Sequence, residues 1–245
     1  MKDNFSTHSA EYARFRPGYP QPLFDFLFLL CQHFDLAWDA ATGNGQIAVG
    51  LAPRFRQVLA TDISENQLVN AQVRPNIHYA VGSAEMPDFP DQHFDLVTVG
   101  QAAHWVQFDD FYRTVRRVLK PGGVLALVGY NVLKIDAPTD AIINQLYHET
   151  LDGYWHAERH YVYDAYTTIP FPFEEIPLPE MTMTYSWNLE QLLGYLSTWS
   201  AIKRFTAQYG HSPLNADFVA AMRLFWADNE VKMVHFPIFA RIARV

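Results

Sequence analysis

The nine residues Trp38-Asp-Ala-Ala-Thr-Gly-Asn-Gly-Gln46 constrain the fold of this chain more than any other stretch. Leu36 to Ala41 is a short apolar run and predicts a buried strand. Gly43 and Gly45 permit positive φ and let backbone approach a ligand closely. Gln46 to Leu51 predicts a helix, and Pro53 follows to stop it. A strand, a glycine turn and a helix N-terminus together form the carboxyl-edge site where nucleotide-like ligands bind in parallel sheets. Asp39 discriminates among such ligands. Its carboxylate would repel a pyrophosphate and attract an amino-acid ammonium.

Further strand signals follow in order. Gln57 to Asp62 is a second apolar strand ending in an acid, placed to accept hydrogen bonds from ribose hydroxyls. Ile77 to Val81 is a third, followed by Gly82-Ser83-Ala84-Glu85. His93 to Val99 is a fourth, and Lys120-Pro-Gly-Gly123 turns the chain into a fifth, Val124 to Tyr130. Met181 to Trp187 and Val231 to Val245 alternate and complete seven strands. Pro237 predicts an edge position or a bulge for the last of them. The fold class is therefore α/β: a Rossmann-like, mostly parallel seven-stranded sheet with an antiparallel last strand, helices on both faces and a small helical and aromatic cap. Gly43-x-Gly45-x-x-Ala48 with Asp62 downstream also satisfies the relaxed dinucleotide fingerprint, so an NAD(P)-dependent oxidoreductase is an alternative.

Composition narrows the partners. The net charge is −8, and no basic cluster is longer than Arg116-Arg117, which argues against a nucleic-acid substrate. Cys31 is the single cysteine, which excludes an internal disulfide and a cysteine zinc site and fits a cytoplasmic protein. The first residues show no signal-peptide pattern. Leu23 to Leu30 is too short to span a bilayer and carries Asp25, so no membrane partner is expected. His156 and His160 are four apart but lack a third ligand, so no metal is expected.

The ordered segments resemble the class I S-adenosylmethionine (SAM)-dependent methyltransferases. Asp39…Gly43-x-Gly45 is similar to their first motif and Asp62 to their ribose acid. FDLV and LKPGG are similar to the flanks of their fourth and fifth strands. The resemblance covers residues 36–132, the expected cofactor-binding core, and implies SAM as cofactor and S-adenosylhomocysteine as product. Two departures stand out. Ala41 occupies a position that is often glycine, which implies a turn needing no positive φ there. Ser83 stands where many relatives carry the Asp that receives the adenine amino group. The implied cofactor set is Asp39, Ala41, Gly43, Gly45, Gln46, Asp62, Ile63, Gln67, Ser83, Ala84, Glu85, Gln101 and Ala102. Within it Ile63 is an adenine wall or core, Glu85 is a cofactor neighbour or solvent-exposed, and Gln101 and Ala102 lie near the methionine moiety.

The outer segments carry the acceptor signals. FSTHSAEYARFRPGYP resembles the opening of a small-molecule group that includes the trans-aconitate methyltransferase-like proteins. This implies an N-terminal lid arm over residues 1–22, with Tyr12, Arg14 and Tyr19 toward the substrate; read from the residues alone, the segment is a surface arm or a lid. The cluster Gly100 to Trp105 follows a strand end. His104 there is a general base, a substrate hydrogen-bond partner, or a packed ring bonded to backbone, and Trp105 is a substrate wall or filler. Residues 133–180 read as a cap, a helix from about Thr139 to Gly153 and then an aromatic loop; 188–229 add helices. Arg159 is an anion partner or is bonded to Glu158 or a cap carbonyl.

One domain over residues 1–245 is expected, acting as monomer or homodimer. The expected function is methyl transfer from SAM to a small-molecule acceptor, leaning toward a carboxylate or other oxygen nucleophile. A non-catalytic SAM-binding protein is the remaining alternative, kept open by Ala41 and Ser83.

Overall fold

The computed structural model describes residues 17–245. The sheet contains β1 (Leu36–Ala40), β2 (Gln57–Asp62), β3 (Ile77–Val81), β4 (Phe94–Gly100), β5 (Leu119–Tyr130), β6 (Met181–Trp187) and β7 (Lys232–Arg244). Their order is β3-β2-β1-β4-β5-β7-β6. All neighbours from β3 to β5 pair in parallel, and β7 runs antiparallel to both β5 and β6.

Side-chain alternation divides the apolar residues between two cores. Ala37, Leu96, Ala126 and Val128 face one core, with Leu23, Leu27, Ile47 and Leu51 of the helices α1 (Gln21–Leu30) and α2 (Gln46–Leu51). Trp38, Val97, Leu125 and Leu127 face the other, against Phe111, Val115 and Val118 of α4 (Phe108–Val118); the short α3 (Glu65–Val69) precedes it in the chain. Continuous apolar strands thus fit a sheet covered on both faces.

Two sequence expectations change. β5 begins at Leu119 rather than after the glycines, and Lys120–Gly123 forms an irregularity in its pairing with β4. β7 is interior, and β6 is the edge. Pro237 is tolerated there because β5 ends at Tyr130, opposite Ile238. Its carbonyl accepts from Asn131 N–H at 2.9 Å, so its nitrogen faces the side where that ladder stops.

Above β5 the chain enters the segment expected as the cap. The expected long helix is shorter: α5 (Ala137–Gln145) runs into a wider π-type turn at Leu146–Thr150. The helices α6 (Arg159–Tyr163), α7 (Leu189–Ser197), α8 (Ser200–Tyr209) and α9 (Ala216–Arg223) follow. Asp136 ties α5 to β7. Its Oδ1 accepts from Thr139 N–H at 3.0 Å as an N-cap, and its Oδ2 accepts from Lys232 Nζ at 2.6 Å. Asp136→Ala is expected to lower stability in urea unfolding by about 1–2 kcal/mol, most of it from the lost cap, with an unchanged m-value.

No helix among the described residues is long and apolar enough to cross a membrane.

Candidate functional site

In this strand order the switch point lies between β1 and β4, where neighbouring crossovers part and leave a crevice at the carboxyl edge. A cleft opens there, about 1180 Å³ with its mouth included. Its lower wall comes from the strand ends: Asp39 and Ala41 to Asn44 after β1, Asp62 to Ser64 after β2, Gly100 to Ala102 after β4, and Tyr130 of β5. Its upper wall is Trp155, His156, Arg159, Trp199 and Ser200, with Tyr19, His104 and Trp105 completing the lining.

Asp39 is the clamp of the turn. Its Oδ2 accepts from Thr42 Oγ1 at 2.5 Å and from Ala48 N–H at 3.1 Å, and its Oδ1 accepts from Thr98 Oγ1 at 2.8 Å. Burial pushes its pKa up to about 6, against those three donors and with help from the nearby Asp62 charge. Asp62 holds the same turn from the next strand. Its two oxygens accept from Gly43 N–H at 2.8 Å and Ser64 N–H at 2.9 Å.

The turn itself corrects the expectation for Ala41, whose φ is +54°. A left-handed alanine costs roughly 1–2 kcal/mol, and the Asp39 and Asp62 hydrogen bonds to the following residues hold it there. Gly43 (φ +56°) and Gly45 (φ +83°) are left-handed as expected. A Cβ on Gly43 would meet only Gln67 Oε1, at 3.8 Å, whereas one on Gly45 would overlap the Tyr79 hydroxyl at 2.2 Å. Gly43 therefore faces open cleft, and Gly45 is demanded by its left-handed φ, with the tip of Tyr79 against it.

Of the expected cofactor residues, Asp39, Ala41, Gly43, Gln46, Asp62, Ile63, Gln67, Gln101 and Ala102 line the cleft together. Gly45, Ser83, Ala84 and Glu85 do not. Ala84 and Glu85 are buried, and Glu85 is neither solvent-exposed nor part of the lining. Its side chain accepts from the Ser83 hydroxyl and, at 3.2 Å, from Gln107 N–H ahead of α4. Burial works to raise the Glu85 pKa, but these hydrogen bonds together hold it below the usual carboxylate range. Gln101 is also committed within the fold. With φ +53°, it donates Nε2–H to Tyr130 O at 3.1 Å and accepts Tyr130 N–H at 2.8 Å, imitating a strand pairing that closes the end of β5.

Of the expected acceptor residues, Tyr19, His104, Trp105 and Arg159 reach the cleft; Tyr12 and Arg14 lie outside the described residues. Arg159 Nε donates to Tyr147 Oη at 3.2 Å, and its guanidinium lies 5.2 Å from the Trp155 ring centroid. Trp155, Trp199 and Tyr147 pack on one another with centroids 4.5–5.5 Å apart. No carboxylate lies within ion-pair distance of Arg159 among the described residues. His104 is 5% exposed, with Nδ1 3.3 Å from the Tyr166 hydroxyl. Burial, then the positive Arg159 and then His156, lower its pKa to about 3. It is neutral at neutral pH, and so far below 7 that it makes a weak general base.

The methyltransferase-domain family, type 11, matches residues 38–127. A protein of Dictyostelium discoideum named as a candidate methyltransferase is 32% identical over 249 residues, covering 99% of this chain and 95% of its own. The chain belongs to the class I SAM-dependent methyltransferases of the type 11 group. A solved structure from Anaeromyxobacter dehalogenans, described as a candidate type II methyltransferase, superposes on this methyltransferase with a TM-score of 0.87 at 37% identity, over 94% of this chain and 98% of that one. The YcgJ protein of Bacillus shares the fold, with a TM-score of 0.51 at 17% identity over 92% of this chain and 98% of that one. Membership replaces the nicotinamide-dependent alternative.

Sequence reading missed several lining residues of the methyltransferase cleft: Thr42, Asn44, Ile47, Tyr130, Trp155, His156, Trp199 and Ser200. Thr42 and Asn44 lay inside the motif and could have been read from it. Trp155 and Trp199 stand 44 positions apart, and nothing local announces that they meet.

Proposed function

We propose that this methyltransferase binds SAM at the carboxyl edge of β1 and β2 and transfers its methyl group to a small-molecule acid at a carboxylate oxygen. The proposal extends to a single cytoplasmic domain in which 133–180 and 188–229 enclose the acceptor. The donor set supports the cofactor. Asp39 supplies negative charge for an ammonium, and Asp62, held by two backbone N–H donors, places a second carboxylate in the cleft lining at the end of β2. Open space at Gly43 admits a ligand against the turn.

Arg159 is the observation that carries the acceptor reading. It is a cation in the cleft wall, backed by Trp155 and oriented through Nε by Tyr147, with no carboxylate partner among the described residues. A guanidinium so placed offers its remaining N–H donors to a carboxylate in fork geometry. Trp105, Trp155 and Trp199 exclude water and hold the apolar body of the acceptor. The acceptor oxygen forms its bond to the methyl carbon as the methyl–sulfur bond breaks, with the electron pair staying on sulfur. Carboxylate and sulfonium charges cancel, no proton is released, and no base is required. The protein's share is alignment and exclusion of water.

The test is chemical. With SAM labelled in the methyl group and a panel of small carboxylic acids, phenols and amines, label is expected in acids alone and is released as methanol by mild alkali, as from an ester. Label held in alkali-stable ethers or amines would refute the carboxylate reading.

A further inference from the structure

We infer that the N-terminus of α8, with the indole N–H of Trp199, is an oxyanion subsite in the cleft wall, separate from Arg159, and that the acceptor therefore carries a second anionic oxygen group, carboxylate or phosphate. This rests on the proposed function for one point only, that an acid occupies this end of the cleft.

An α-helix leaves the N–H groups of its first turn without intrahelical partners and carries a partial positive charge there. Proteins commonly answer both with a Ser, Thr, Asp or Asn at the N-cap, or with an acid in the first turn. The helix α8, ten residues long, has neither. Its N-cap is Trp199, no side chain among the described residues caps it, and its first turn holds no acid. The first backbone bond into the helix runs from Lys203 N–H to Trp199 O at 3.2 Å. The N–H groups of Ser200, Ala201 and Ile202 have no hydrogen-bond partner among the described residues. Ala201 and Ile202 are buried, where such donors are normally paired with protein, ordered water or ligand.

Trp199 points to a ligand independently of the helix. It is 2% exposed, and a buried indole N–H usually finds a partner. Those of the equally enclosed Trp38 and Trp226 donate to Thr61 Oγ1 at 2.9 Å and Glu230 O at 2.8 Å. That of Trp199 has no partner among the described residues. Trp199 and Ser200 both line the cleft, so this donor and the open first turn meet at one wall.

The Trp199 ring lies 5.5 Å from that of Trp155, and the Arg159 guanidinium lies 5.2 Å from the same Trp155 ring. The two anchors flank one indole, within reach of a single small molecule. A helix N-terminus receives oxyanions through backbone donors and dipole together, a chemistry that carboxylate and phosphate share. A second anchor also fixes which end of the acceptor faces the methyl group.

The test is binding to the chain saturated with S-adenosylhomocysteine, which has no methyl group to transfer. Titration calorimetry compares linear dicarboxylic acids of increasing length with two matched series. One has a methyl group in place of the second carboxylate, and the other has a phosphonate there. The best-fitting two-anion acid is expected to bind at least about tenfold more tightly than its monoacid, the scale of one hydrogen bond to a charged group. Whether the diacid or the phosphono acid leads identifies the oxyanion. Trp199→Phe keeps an aromatic ring, removes the donor and should cut that advantage by about three- to tenfold. Ser200→Asp places a carboxylate at the same N–H groups. It favours the helix, so the fold is kept, and it should abolish the advantage. No advantage in the wild-type chain, or one that survives undiminished in either variant, would overturn the inference. So would an absence of binding by every member of the series. The two readings fail separately. If two-anion acids bind as expected but yield no ester with SAM, the carboxylate-transfer reading falls and the subsite stands. If monoacids bind and are methylated as readily as their two-anion partners, the subsite falls and the transfer reading stands.

Discussion

Replacing Arg159 with methionine is expected to lower kcat/KM for an acidic acceptor by roughly 100- to 1000-fold, about 2.7–4 kcal/mol at 1.36 kcal/mol per decade. S-adenosylhomocysteine affinity should change by less than about threefold, because the acids proposed to bind it, Asp39 and Asp62, belong to other elements. Methionine keeps the length of the stem and its packing on Trp155, so the loss isolates the charge and the fork. Arg159→Lys restores charge without the fork or the planar stack, and an intermediate loss is expected. The lesion should fall mainly on KM if Arg159 binds ground state and transition state alike. Steady-state kinetics with a carboxylic acid acceptor check this, and equal activity in Arg159→Met would remove the anion anchor from the account.

Asp39→Asn should leave the protein folded yet weaken S-adenosylhomocysteine binding by about 10- to 100-fold, 1.4–2.7 kcal/mol. The amide can place its oxygen toward Thr42 and Ala48, while the Thr98 hydroxyl turns to Trp38 O, 3.4 Å away. Asp39→Ala has no such recourse and leaves the Ala48 N–H without this acceptor, so it should also unfold earlier. The pH dependence carries a sign. The folded pKa, about 6, is raised from 3.8 by burial, so Asp39 favours the folded state fully below about 3.8 and that contribution is lost as pH rises through about 6. An ammonium beside the carboxylate acts oppositely, favouring the ionised form. Affinity for S-adenosylhomocysteine is therefore expected to fall as pH drops below about 6 in the wild-type chain, and this limb should be absent in Asp39→Asn. Calorimetric titrations between pH 5 and pH 8 read both effects; an identical limb in the variant would assign it to another group.

What could be read before the structure was whatever is encoded locally. The apolar runs ending in Asp39 and Asp62 announced strands, and Gly43 and Gly45 announced the turn, because chain stiffness and burial act over a few residues. Ala41 was misjudged since its left-handed φ is imposed by neighbours, against the preference of alanine itself. Glu85 and Gln101 were correctly placed after their strands, but their partners, Gln107 and Tyr130, lie 22 and 29 residues away. The same distance problem hid Tyr166, 62 residues beyond His104. Pro237 looked like an edge signal because an interior strand normally needs every N–H; the early end of β5 relieves that need.

The Asp39–Gly45 turn with Asp62 is proposed as the SAM site, and a binding measurement tests it most directly. Isothermal titration of the folded chain with S-adenosylhomocysteine, with NADPH in parallel, is predicted to give about one site per chain for the first and none for the second. At a hundred times its dissociation constant, S-adenosylhomocysteine should also add about 2.7 kcal/mol of stability. Heat from NADPH alone, or no heat from S-adenosylhomocysteine with a chain shown to be folded, would contradict the account.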